Sequence, residues 1–162
     1  MKIRTDFVTN SSSSSFILAF KDEEDYQDFE KYCDEFGYDV FFALVDRCRD
    51  HPDKTKEQMK DQLHSYYMHE ICNMLELAQD YAIKENCNSW DIDTDREDFQ
   101  KEMRARMDKT NYDEQLERLM TSEIVVYGMV WDYDGGILEW AMRQGLVSSE
   151  FSKWCLLDWQ IG

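Results

Sequence analysis

The chain has 162 residues, with 35 Asp or Glu against 18 Lys or Arg, so its formal net charge is −17. Hydrophobic residues make up 43% of the sequence and aromatic residues 14%, which excludes a disordered acidic tail, because such a tail lacks apolar surface to bury. The same charge disfavours direct binding to nucleic acid or to anionic lipid.

The N-terminal segment predicts two short strands joined by a polar loop. Aromatic and β-branched residues cluster around residues 3–8 and again over 16–20, a composition typical of strands. The loop between them consists of Asn10, Ser11, Ser12, Ser13, Ser14 and Ser15.

Helices are predicted from residue 22 onward. Apolar residues at positions 26, 29, 32, 33 and 36 form a helical stripe that ends at Gly37, a typical C-terminal cap. Residues 40–45 are compatible with a buried strand or a short helix started by Asp39, and we favour the helix. A long amphipathic helix is expected over about 56–84, because apolar residues recur there every three or four positions. Two shorter helices are expected over 95–107 and 112–121.

The C-terminal part begins with the strongest strand pattern in the chain, residues 124–131, followed by a turn at 134–136. The remaining apolar residues predict one or two short helices that cover the core. The expected fold is therefore α+β: a helix-dominated single domain over 1–162 with a small antiparallel sheet. It comprises an N-terminal hairpin (1–20), a helical middle (22–121) and a C-terminal strand with short helices (123–162).

The opening Phe7-Val8-Thr9-Asn10, five serines and Phe16 form the one motif with a family resemblance. It resembles the N-terminal signature of a scattered set of small bacterial and phage proteins. The resemblance covers about the first sixteen residues and implies no established activity. It implies a phage or mobile-element origin.

The serine tract has two interpretations. Successive backbone amides and hydroxyls can cradle an anion, which makes Ser11–Ser15 a candidate phosphate nest. The alternative is a polar hairpin loop, favoured because the tract lacks the glycines and the lysine of a phosphate-binding loop. No histidine adjoins the serines to activate a nucleophile, so an enzyme is not favoured.

A weak metal candidate follows the long helix. Asp91, Asp93, Asp95 and Glu102 occupy positions 1, 3, 5 and 12 of a calcium loop of the EF-hand type. Arg96 stands where that loop needs glycine, so we favour instead a helix capped by Thr94 or Asp95. No metal and no cofactor are expected.

The acid distribution points to a binding function. Residues 22–39 contain nine acids and one lysine. We expect the first helix to dock on the basic surface of a nucleic-acid-processing protein, as an inhibitor or DNA mimic similar in size and charge to anti-CRISPR proteins. The partner-binding acids predicted are Asp22, Glu24, Asp25, Asp28 and Glu35. Since the acids lie off the apolar stripe, reversing Asp22, Asp25 and Asp28 should leave the fold intact.

Several alternatives stay open from the sequence. A metal-dependent regulator or an enzyme centred on Ser11–Ser15 or on residues 91–102 is the second functional class. A homodimer is another assembly, given Trp90, Trp154 and Trp159 as candidate exposed aromatics. No apolar run reaches the roughly 20 residues of a membrane helix, and the opening residues lack the apolar core of a signal peptide, so we expect a cytoplasmic protein without membrane contact.

Overall fold

The computed structural model describes residues 13–131 and 149–161. In chain order the elements are β1 (Ser13–Phe20), α1 (Glu23–Phe36), α2 (Asp39–Asp50), α3 (Lys56–Tyr66), a π-helical turn (Tyr67–Ile71), α4 (Met74–Glu85), a 3-10 turn (Ser89–Asp91), α5 (Glu97–Met107), α6 (Tyr112–Thr121), β2 (Ile124–Trp131), a second 3-10 turn (Phe151–Lys153) and β3 (Cys155–Ile161). The predicted class, α+β with predominant helix and a small antiparallel sheet, is confirmed.

The sheet has the strand order β2-β1-β3, and both pairings are antiparallel. β1 is therefore the central strand, and it begins at Ser13, inside the tract predicted as a loop. The strand predicted around residues 3–8 lies outside the described residues. Within the described residues, β1 pairs with β2 and β3.

The C-terminal helices predicted after residue 136 are only partly tested, because 132–148 lie outside the described residues. From residue 151 onward the prediction is wrong, since a single 3-10 turn leads directly into β3. The pairing partner of Ile17 is Leu157, but that of Leu18 is Cys155, so Leu156 is an extra residue in β3. Leu156 at the bulge and Leu157 after it are both buried.

Helix α1 packs on one face of β1. Phe16, Leu18 and Phe20 alternate along the strand and are fully buried. They contact a ring-rich core from α1, α2 and the second 3-10 turn, made of Tyr26, Phe29, Tyr32, Cys33, Tyr38, Phe41, Val45, Phe151 and Trp154, together with Val126 of β2. Phe29 lies at the centre, with the rings of Phe20, Phe151 and Trp154 at 5.3 to 5.7 Å.

The long helix predicted over 56–84 is interrupted. The helical path continues from α3 through the π-helical turn, but it stops at Cys72, and Asn73 is left-handed with φ 52° before α4 begins. Asparagine tolerates this conformation better than most residues, and its side chain donates to Glu76 at 2.9 Å. The guanidinium of Arg106 donates to the carbonyl oxygen of Cys72 at 2.9 Å, which satisfies a carbonyl that the break exposes.

The chain divides into two compact units, residues 1–59 with 118–162, and residues 60–117. The second unit has its own core of eight buried residues, Cys72, Leu77, Ala78, Tyr81, Ala82, Ile92, Phe99 and Met103. The single domain over 1–162 stays a prediction. No helix within the described ranges is long and apolar enough to cross a membrane.

Candidate functional site

Helix α1 is fixed at both ends by its own sequence. Asp22 is the N-terminal cap, and its carboxylate accepts a hydrogen bond from the Asp25 amide at 3.1 Å. Gly37 closes the helix in the left-handed conformation, with φ 73°. Both boundaries agree with the sequence prediction.

Two of the five predicted partner-binding acids are part of the fold. Besides the cap formed by Asp22, the carboxylate of Asp25 accepts hydrogen bonds from the amide of Lys21 at 3.0 Å and from the indole of Trp154 at 3.1 Å. Trp154 is 3% exposed, so its indole N–H depends on this acceptor. These hydrogen bonds argue against the expectation that reversing Asp22, Asp25 and Asp28 leaves the fold intact, which stays a prediction. The sequence pattern shows the apolar stripe but not the hydrogen bonds at its edge.

The other three acids, Glu24, Asp28 and Glu35, form what we call the acidic stripe. They are exposed and lie four and seven residues apart, which places them along one side of α1. Lys31 lies on the same side, and its ammonium group is 2.9 Å from the Asp28 carboxylate. Glu24 and Glu35 form no ion pair or hydrogen bond within the described part of the chain.

The opposite flank of α1 is tied to α2. Glu23 accepts two hydrogen bonds from the guanidinium of Arg49, at 3.1 and 2.7 Å, and that guanidinium lies 4.4 Å from the centre of the Tyr26 ring. The Tyr26 hydroxyl donates to Asp46 at 3.0 Å. Burial, together with this acidic acceptor, raises the pKa of Tyr26 well above its usual value. Glu23 is thus a structural acid and is not part of the acidic stripe.

The charge density of α1 resembles that of one DNA strand. The helix has 14 residues, seven of them acidic and one lysine, for a net charge of −6. At a rise of about 1.5 Å per residue it is about 21 Å long, which gives about one charge per 3.5 Å. Pairing with Arg49 lowers this to about one per 4 Å, and one DNA strand carries about one per 3.4 Å of axis.

The last turn of α1 contains acidic residues, although basic residues would stabilise this end of a helix. Asp34 and Glu35 lie there, and the turn contains no basic residue. The negative end of the helix dipole disfavours carboxylates by about 0.3–1 kcal/mol each. Helix stability therefore does not account for this end of the acidic stripe.

A groove of about 440 Å³ runs beside the acidic stripe. The rings of Tyr32 and Trp154, both buried, line it and lie 5.6 Å apart. Phe36 also lines it but is 53% exposed. The charged lining consists of Asp25, Asp28, Lys31, Glu35, Glu150 and Lys153.

The groove already holds one cation of the chain itself. The ammonium group of Lys153 lies 5.3 Å from the centre of the Trp154 ring and forms an ion pair with Glu150. Glu150, with smaller contributions from Asp25 and Asp28, raises the pKa of Lys153 above its usual value. An aromatic ring flanked by a carboxylate thus binds an amine here.

Sequence reasoning did not identify the groove. It assigned Phe36 to the apolar stripe of α1 and the region after residue 136 to short helices. Lys153 belongs to no sequence motif that would indicate a binding site. The available signal was local: Phe36 lies next to the helix-ending Gly37, where the apolar stripe runs past the last turn.

The serine tract does not form the predicted loop or anion nest where it is described. Ser13, Ser14 and Ser15 pair with both β2 and β3, so their amides belong to the sheet. Ser15 is 1% exposed, and its hydroxyl accepts a hydrogen bond from the Tyr127 hydroxyl at 3.4 Å. Asn10, Ser11 and Ser12 lie outside the described residues.

Three of the four candidate metal ligands use their carboxylates in other contacts. Asp91 accepts from the Asn88 side chain at 3.2 Å, Asp93 accepts from the amide of Asp95 at 3.0 Å, and Glu102 lies 3.9 Å from Arg106. The described residues contain no group of three or more His, Cys, Asp or Glu side chains placed to hold a metal ion. The predicted cap is wrong as well: α5 begins after Arg96 without a side-chain cap.

Arg96 explains why this segment folds as it does. Its guanidinium forms ion pairs with Glu85 at 2.5 Å and with Asp98 at 2.6 Å, and these contacts fasten the loop to α4 and α5. The same guanidinium lowers the pKa of the Asp98 carboxyl. A residue that departs from the calcium-loop pattern is therefore the one that organises the turn.

The three candidate tryptophans differ in exposure. Trp90 is 86% exposed, as expected, whereas Trp154 is buried in the core of the first unit. The side chain of Trp159 lies outside the described part. The homodimer expectation stays a prediction.

Comparisons with protein-family models, with curated proteins and with solved structures found no match to this chain.

Proposed function

We propose that the protein is a non-enzymatic acidic binding protein that docks the acidic stripe of α1 on the basic surface of a nucleic-acid-binding partner and blocks it. The single observation that supports this is the acidic surface of α1, which continues into a last turn where carboxylates oppose the helix dipole. A phage or mobile-element protein acting in the cytoplasm of a bacterial cell as an inhibitor or DNA mimic of the anti-CRISPR kind fits this proposal.

The electrostatics support the mode of binding. A helix with a charge density close to that of a DNA strand can occupy a groove built for phosphates, and it speeds association at low salt. Affinity for the partner should fall steeply as salt rises, as expected for a contact dominated by charge. Direct binding to nucleic acid is not part of the proposal, because the net charge of −17 repels phosphates.

The test is a displacement experiment with DNA-cellulose as the probe. DNA-binding proteins from a bacterial extract are loaded at about 50 mM salt, the purified protein is passed over the column, and the released proteins are identified by mass spectrometry. We expect one or a few basic proteins to be released, and less release at about 200 mM salt.

A matched pair of variants gives the experiment its specificity. The stripe variant contains Glu24→Lys, Asp28→Lys and Glu35→Lys, none of which caps a helix. The control variant contains Asp61→Lys, Glu70→Lys and Asp80→Lys, at three exposed positions in residues 60–117. Three reversals remove three negative charges and add three positive charges, so both variants change the net charge from −17 to −11.

We expect the control variant to release the same proteins as the natural chain and the stripe variant to release none. Release of nothing by the natural chain, or equal behaviour of the two variants, would overturn the proposal. Circular dichroism and thermal unfolding of both variants check that the loss is not due to unfolding.

A further inference from the structure

Phe36 presents a fixed aromatic face to the groove beside α1. The residue is 53% exposed, yet its ring packs against Tyr32 at 4.8 Å and stacks on Tyr38 at 6.1 Å with an interplanar angle of 24°. Because these neighbours hold one side of the ring, the other side is available without ordering a flexible side chain. An exposed, immobilised phenylalanine is a typical anchor for a binding partner.

Glu35, next to Phe36 in sequence, supplies the charge. Of the four carboxylates that line the groove, Asp28 and Glu150 pair with lysines, and Asp25 accepts from Trp154. Glu35 has no hydrogen bond or ion pair in the described ranges. It is therefore the carboxylate of the groove that an external cation can reach without displacing a partner.

The groove contains an internal precedent for this arrangement. Trp154 and Glu150 together bind the ammonium group of Lys153, as a ring face flanked by a carboxylate. Phe36 and Glu35 also line this groove, and no cationic side chain among the described residues lies over the Phe36 ring. The lining as a whole has four acids and two lysines, so the complementary ligand is positively charged.

We propose that Phe36 and Glu35 receive an arginine side chain from a basic segment of the partner, with the guanidinium stacked on the ring and ion-paired with the carboxylate. The inference rests on the proposed function and names the chemistry of its partner. Arginine fits better than lysine, because its planar, weakly hydrated guanidinium stacks on rings and donates two hydrogen bonds to one carboxylate.

The experiment uses two labelled probes, a short peptide of alternating glycine and arginine and the same peptide with lysine. Binding to the full chain is measured by fluorescence anisotropy. We expect the arginine peptide to bind about three to ten times more tightly than the lysine peptide. Phe36→Leu keeps the apolar volume but removes the π face, so it should abolish this preference, whereas Phe36→Tyr should keep it.

Glu35→Gln should weaken binding of the arginine peptide about threefold or more and reduce its salt dependence. The matched controls are Trp90→Leu, an exposed aromatic residue in the other unit, and Asp80→Asn, an exposed acid there. Both should bind the two peptides as the natural chain does.

Equal affinity for the two peptides, or a preference for arginine that survives Phe36→Leu, would overturn the inference. The result is separable from that of the DNA-cellulose experiment. Displacement by the natural chain without an arginine preference would reject the inference and keep the proposed function. An arginine preference that depends on Phe36, without displacement, would keep the arginine site and reject the proposed function.

Discussion

Replacing Gly128 with alanine tests how closely β2 approaches the core. Gly128 pairs with Phe16 of β1, and a Cβ atom at position 128 would lie 2.0 Å from Cζ of that ring and 2.5 and 2.7 Å from its two Cε atoms. Phe16 is fully buried, and its ring packs edge-on against Phe41 at 5.3 Å. The ring cannot withdraw without disturbing the aromatic core, so glycine is required by packing.

The expected size of the effect follows from these contacts. Overpacking a core costs about 1–3 kcal/mol, and three contacts below 3 Å place Gly128→Ala at about 3 kcal/mol. Phe16→Ala removes the ring and should cost about 3–5 kcal/mol. In the double variant the new methyl enters the space left by the ring, so the double loss should be smaller than the sum by about 1–3 kcal/mol.

Urea unfolding followed by circular dichroism measures all four free energies of unfolding. Gly37→Ala is the control, because a Cβ there meets no atom within 4 Å and only the left-handed backbone is strained. It should cost about 1–2 kcal/mol and add to Phe16→Ala without coupling. A loss below about 0.5 kcal/mol for Gly128→Ala, or simple additivity with Phe16→Ala, would refute the reasoning.

Three further predictions concern single side chains. Asp25→Ala should lower the free energy of unfolding by about 1–3 kcal/mol, because it leaves the buried indole N–H without an acceptor, and an unchanged urea midpoint would contradict this. Exposed Cys87 should react with iodoacetamide in the native protein, whereas burial raises the pKa of Cys33 to about 12 and should delay its reaction until unfolding, which mass spectrometry of peptides checks. Arg96 lowers the pKa of Asp98, so the stability from this pair is present above the ordinary aspartate pKa of about 3.9 and is lost as pH falls through the folded-state value. Asp98→Asn should therefore lower the melting temperature at neutral pH but not in strong acid, and an equal effect at both would refute this.

Local sequence patterns predicted those elements whose ends and buried face are determined by neighbouring residues in the chain. The apolar positions 26, 29, 32 and 33 and the terminal Gly37 are readable along the chain, and α1 forms where they predict it. The capping role of Asp22 was not predicted. The break at Asn73 was not predicted, because apolar spacing continues across it and a contact from Arg106, distant in sequence, satisfies the exposed carbonyl.

Strands β1 and β3 show what pattern reasoning cannot supply. Serine has little intrinsic preference for strands, and Ser13 and Ser14 belong to one because β2 and β3 pair with them from far along the chain. In β3 the bulge at Leu156 removes the alternation that identifies a strand. Both outcomes depend on tertiary pairing.

The acids of the candidate site were predictable as a group but not in their roles. Composition identifies the excess of carboxylates in residues 22–39, whereas the acceptor role of Asp25 toward Trp154 joins residues 129 positions apart. Phe36 continues the helical spacing of the core residues but is nonetheless exposed. It lines a groove together with residues from 150–154, which are distant in sequence, so its exposure could not be predicted from the spacing.

The central position of β1 has a consequence for synthesis of the chain. Phe20 precedes Ile124, the first residue of its nearer pairing partner, by 104 positions. At about 5–20 residues per second a ribosome needs roughly 5–20 s to cover that distance, while the apolar residues of β1 have no sheet to join. Residues 60–117 are contiguous and can condense during this interval. In the nascent chain, β1 is thus an unpaired apolar segment that is prone to aggregate. We therefore expect the chain to depend most on chaperones before β2 has been synthesised.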